Sequence, residues 1–173
     1  MGECSQVDEL LLPKRFTLKE YTAVAERTRS AREAIKYEIS RAKLDRANAM
    51  HETLTGLVAD RIRIASGVPK RNPLIDLAAE VAGQMFIFEI KTTPVKSFRS
   101  QVRRGISQLY EYRYLQNIPD AKLVLVTEHP LPSGLRWMRD YLTRDRDILF
   151  AWDGDSRTLH CSRNIRKPLA FLL

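Results

Sequence analysis

A chain of 173 residues with 44% hydrophobic and 29% charged side chains has the apolar content to build one core, and too much of it for a disordered protein. Its two cysteines, Cys4 and Cys161, belong to no CxxC pair, and no apolar run approaches the roughly 20 residues of a membrane span. A disulfide scaffold and a membrane protein are therefore not expected. Twenty-nine Lys and Arg against 21 Asp and Glu leave a formal charge of +8, which points to a polyanionic partner. The first residues lack a basic patch followed by a long apolar stretch, so the expected setting is cytoplasmic.

From Phe16 to Thr55 there is neither Gly nor Pro, and Tyr21, Val24, Ala25, Thr28, Ala31, Ile35, Ile39 and Ala42 recur at three- and four-residue steps. One very long helix is expected, or two that break near Ser40 or Asn48. The stripe is thin and Ala-rich, so this arm could pack on the core or on a second copy of the chain. Met50, Leu54, Leu57, Val58 and Ile62 form a denser stripe of core type. Gly67 to Pro73 reads as loop.

The runs Leu74 to Glu80 and Met85 to Lys91 flank a Gly-containing turn and predict a β-hairpin. Thr92-Thr93-Pro94 ends it. Ser97 to Tyr114 predicts a helix, Lys122 to Val126 a buried strand, Leu135 to Leu142 an amphipathic helix and Ile148 to Trp152 another strand. That order indicates an α/β fold with a central mixed sheet flanked by helices. Trp137 and Trp152 are expected in the core.

The hairpin holds the chemistry. With the turn centred between Ala82 and Gly83, Glu80 faces Met85, Ala78 faces Ile87 and Asp76 faces Glu89. Two carboxylates across a strand pair repel unless something positive lies between them, and a hard divalent cation such as Mg²⁺ answers that need. Lys91 shares the face of Glu89 and could act on a water or counter charge on a phosphate. ExK alone is a weak pattern; Glu89 and Lys91 could equally be solvent-facing residues of a half-exposed strand. His51-Glu52 opens like HExxH, but Thr55 stands where the second His belongs. Asp153-Gly154-Asp155-Ser156 reads as a turn between strands, not a calcium loop.

Asp76, twelve residues, then Glu89-Ile90-Lys91, followed by Gln108-Leu109-Tyr110-Glu111-Tyr112, resembles the PD-(D/E)xK, or restriction-endonuclease-like, superfamily and the QxxxY element of its RecB-like branch. Ile75 stands where the motif name has Pro. The resemblance spans roughly residues 48–153 and implies a nuclease-like domain at 41–173 behind a helical extension at 1–40. It implies that Asp76, Glu89 and the Ile90 carbonyl hold Mg²⁺, with Mn²⁺ able to substitute. Lys91 would act on the attacking water, and Gln108 and Tyr112 would orient the substrate. An acidic residue from the first helix, Glu52, is a further candidate for metal and catalysis, and neighbouring His51 could fill the same place. Lys96, Arg99, Arg103 and Arg104 would track a nucleic-acid backbone, DNA favoured. The implied activity is phosphodiester hydrolysis in restriction, phage defence or repair; the alternative is a non-catalytic nucleic-acid-binding or assembly subunit. A homodimer or larger complex through the N-terminal arm is a further expectation.

Overall fold

The computed structural model describes residues 17–21 and 35–173, which form one seven-stranded sheet with helices packed on it. In chain order the main elements are β1 (Lys19–Glu20), α1 (Ile35–Ile64), β2 (Lys70–Arg71), β3 (Leu77–Val81), β4 (Gln84–Lys91), α2 (Phe98–Leu115), β5 (Lys122–Thr127), α3 (Trp137–Asp140), β6 (Ile148–Asp153) and β7 (Leu159–Cys161). The strands lie side by side in sequence order, and β4, β5 and β6 run parallel while every other neighbouring pair is antiparallel. The sheet is thus mixed, as the alternation of elements predicts.

β3 and β4 pair in the expected register, with Ala78 opposite Ile87 and Glu80 opposite Met85. Ala82 (φ 50°) and Gly83 (φ 77°) both take left-handed conformations, the signature of a tight two-residue hairpin turn. No extra residue shifts the ladder. The first strand starts later than the sequence predicts, at Leu77 and not Leu74. Asn72 explains this: its Oδ1 accepts hydrogen bonds from the Leu74 and Ile75 amides at 2.9 and 2.8 Å, holding a turn that leaves Asp76 just outside the ladder.

Alternation along β4 splits its side chains between two faces. Phe86 and Phe88 meet Phe171 of the C-terminal segment, which packs with α1. Leu54, Val58 and Ile62 of α1 are buried, each worth about 1.5–3 kcal/mol of hydrophobic stabilisation. On the other face α2 lies over β4 and β5 through Phe98, Val102, Gly105, Leu109 and Tyr112.

α1 runs unbroken through Ser40 and Asn48, the single-helix alternative of the expectation. Other elements differ from expectation. Lys19–Glu20 is an edge strand and not part of a helix, pairing with β2 in the segment read as loop. Tyr21 is buried beside it. The rest of the predicted arm, and the dimer contact assigned to it, fall mostly outside the described residues. The helix expected at 135–142 is instead a 3₁₀ turn (Ser133–Leu135), the single turn of α3 and a π turn (Tyr141–Asp145). Its buried positions are Met138 and Leu142, which leaves Trp137 50% exposed and not in the core. Trp152 is partly buried against the core. The 153–158 segment is a turn, with Asp153 Oδ1 accepting from the Ser156 amide at 2.8 Å. Among the described residues no helix is long and apolar enough to cross a membrane.

Candidate active site

Glu89 and Lys91 stand on the face of β4 that α2 covers, and Gly105 is what permits the approach. A Cβ at position 105 would lie 2.7 Å from Leu125 Cδ1, 3.5 Å from Glu89 Cγ and 3.7 Å from Lys91 Cε. Asp76 arrives from the other strand of the hairpin. Continuing the register one step beyond β3 sets it opposite Glu89, and the Ile90 amide donates to its Oδ2 at 2.8 Å. The carboxylate is therefore pinned to the backbone of the residue between Glu89 and Lys91. His51, from the middle of α1, reaches the same oxygen with Nε2 at 3.3 Å. Segments far apart in the chain thus converge on one place in the fold.

Glu89 is 2% exposed. Lys91 Nζ donates to its Oε1, while Oε2 is buried with no hydrogen-bond partner among the described residues. Burial, and then the negative charge of Asp76, push the Glu89 carboxyl up to about 7; the Lys91 ammonium and His51 pull the other way. The hydrogen bond to Asp76 raises the pKa of His51 against the opposing effect of its own burial. On α2, Gln108 Nε2 donates to the Tyr112 hydroxyl at 2.7 Å, and Gln108 Oε1 is buried without a hydrogen-bond partner among the described residues. Burial first, and then the charge of Glu89, raise the Tyr112 phenol above its ordinary value, so the hydroxyl remains a neutral donor.

The donor set fits a hard cation. It offers two carboxylates, one with an oxygen already stripped of water and left unpaired, and no thiolate. Among the described residues no three His, Cys, Asp or Glu side chains form a closed metal cage. A small divalent ion that takes one or two carboxylates and keeps its waters needs none.

The two candidates on α1 part company. His51 touches Asp76, whereas Glu52 turns its Oε2 toward Arg71 at 4.0 Å, and that oxygen is buried without a hydrogen bond among the described residues. Glu52 reaches the centre through its charge, which helps raise His51. Sequence reasoning did not single out Glu128. It follows the last residue of β5, donates its amide to the Lys91 carbonyl at 3.1 Å and accepts from Arg46 at 3.3 Å while nearly buried. A Glu directly after the apolar run Leu123 to Val126 and Thr127 was the available signal. Lys96, Arg99, Arg103 and Arg104 are all exposed on the 3₁₀ turn at 95–97 and the first half of α2. Arg99 lies over the Trp137 ring, 5.7 Å from its centre.

No protein-family model matches the chain, and no curated protein matches it. Among solved structures it is similar to an XisH family protein from Nostoc punctiforme, at 16% identity and a TM-score of 0.47, over 62% of this chain and 96% of that one. At that distance the residues above have to be read on their own chemistry.

Proposed function

We propose that the chain is a metal-dependent nuclease with a restriction-endonuclease-like core that hydrolyses phosphodiester bonds of nucleic acid, DNA first. The observation that carries this reading is the buried Glu89: its Oε2 is unpaired, and the adjacent Asp76 carboxylate raises the cost of its ionisation. Such a pair is expensive in a folded protein unless a cation completes it. Asp76 and Glu89 would hold Mg²⁺, or Mn²⁺ in its place, with the Ile90 carbonyl as a main-chain donor and Glu52 as the more distant acidic candidate. When bound, the metal supplies a water of lowered pKa and neutralises charge on the phosphate.

The chain's own residues do the rest. Lys91, held against Glu89 by its ammonium, is set to position the attacking water by donating a hydrogen bond to it and to face the charge that develops on a phosphate oxygen. Its contact with Glu89 keeps the amine in place beneath α2. Tyr112 and Gln108 present a hydroxyl and an amide as neutral hydrogen-bond donors that orient the scissile group. His51 and the Ile90 amide together fix the Asp76 carboxylate through the same Oδ2. Lys96, Arg99, Arg103 and Arg104 supply the phosphate contacts that hold the strand.

The test is incubation with plasmid, linear and single-stranded DNA and with RNA, each with and without Mg²⁺ or Mn²⁺. Cleavage is expected only with metal, and Asp76→Asn, Glu89→Gln and Lys91→Ala should each reduce it on the order of 100-fold or more while the fold survives. Equal cleavage by all four proteins would overturn the assignment. Salt-sensitive binding without hydrolysis would leave a nucleic-acid-holding subunit instead.

A further inference from the structure

Trp137 is the largest aromatic side chain left half-exposed among the described residues, and it is not alone. Its ring centre lies 6.0 Å from that of Tyr141, Arg99 sits over it at 5.7 Å, and Arg146 sits over Tyr141 at 5.1 Å. Two rings, tilted at 53° to one another and not stacked, and two guanidinium groups thus form a short ladder of contacts that reaches the surface. A half-exposed indole gains little stability where it stands, since the burial of this segment is done by Met138 and Leu142.

The ladder also has a definite place in the fold. β4, β5 and β6 are parallel, so their carboxyl ends share one edge of the sheet, where open α/β sheets take their ligands. Arg99 follows the end of β4 and Trp137 follows the end of β5. Lys91 closes β4 at that edge. Arg99 is six residues before Gly105, the position of α2 that touches Glu89 and Lys91, which is about 9 Å along the helix axis. An aromatic face, flanking guanidinium groups and a formal charge of +8 match one partner chemistry: an unpaired base whose own phosphates lie against arginine.

We infer that Trp137, with Arg99 above it, is a stacking platform for an unpaired base, so that the strand entering the site is single-stranded at that point. This rests on the nuclease reading for the location of the strand and narrows its substrate to nucleic acid with a frayed, flapped or wholly single-stranded segment. A duplex keeps its bases stacked on one another and presents no free face to the indole. The platform then favours substrates already open at the cutting point.

Binding is measured by fluorescence anisotropy in EDTA, with a labelled oligothymidylate strand and a labelled duplex of the same length. Trp137→Ala should weaken single-strand binding by about 5- to 150-fold, the worth of one stacked base, and leave duplex binding nearly unchanged. Trp137→Phe keeps a ring and should retain most of the affinity. Strand addition should quench the tryptophan emission of the parent chain more than that of Trp137→Phe. Parent-like single-strand affinity in Trp137→Ala, equal loss on strand and duplex, or no single-strand binding by the parent would each overturn the inference. Because EDTA silences cleavage, the two readings fail separately. A chain that stacks a strand but never cuts would sink only the nuclease assignment; one that cuts while Trp137→Ala binds normally would sink only the platform.

Discussion

Glu89 ties the site to pH. Its carboxyl ionises near 4.5 in an unfolded chain and at about 7 in the folded one. Between those values the folded protein keeps a proton that the unfolded chain has released, so stability declines as pH rises through the window and levels off above it. At about 1.36 kcal/mol per pKa unit, the decline is on the order of 3 kcal/mol. Melting curves in EDTA should therefore show a lower Tm at pH 8 than at pH 5, and Glu89→Gln should show a smaller drop. His51, also raised, loses its contribution in the same direction as pH increases, so some slope remains in the variant. Identical slopes in the two proteins would contradict the burial and charge argument. The sequence carried most of this residue-scale picture, because Asp76, Glu89 and Lys91 are local to one hairpin whose register follows from the turn centre. The His51–Asp76 contact and the Glu128 position were not legible, since each depends on how a separate element packs against that hairpin.

The hairpin is also where element-scale physics is plainest. Ala82 occupies a left-handed conformation at φ 50°, which costs an L-residue with a Cβ roughly 1–2 kcal/mol, while Gly83 occupies the next one freely. Asn tolerates that conformation, and Asn-Gly is the preferred pair for this turn. Ala82→Asn should raise stability by about 0.5–1 kcal/mol in urea unfolding, with cleavage unchanged; a loss of stability would mean the turn is not built as described. Elements with strong periodicity were legible: the core half of α1, the β3–β4 pair, α2, β5 and β6. β1 and β2 were not. Each is two residues long, Lys19–Glu20 and Lys70–Arg71, too short and too polar to show an alternation; β1 is the edge strand and β2 the strand beside it, both held by main-chain pairing. Trp137 was misplaced because the periodicity around it assumed a regular helix, whereas the backbone there passes from a 3₁₀ turn through one α turn into a π turn. Gly105 carries no pattern at all; only the packed helix reveals that any side chain there would meet Leu125.

At the scale of the whole molecule, the site exists because separate pieces of chain meet at one edge of the sheet. α1 brings His51, the hairpin brings Asp76 and Glu89, the end of β4 brings Lys91, and α2 closes over them with Gln108 and Tyr112. The positive charge spread along α2 and the segment after β5 surrounds that edge and draws polyanions toward it. One buried carboxylate, one partly buried carboxylate and one amine are poorly matched by charge alone, which is the reason to place a divalent ion among them. A Mn²⁺ titration at pH 8, followed by calorimetry on the parent chain, Asp76→Asn and Glu89→Gln, reads that ion directly. One Mn²⁺ per chain, lost or greatly weakened in both variants, is the expected result; the same stoichiometry and affinity in all three proteins would contradict it.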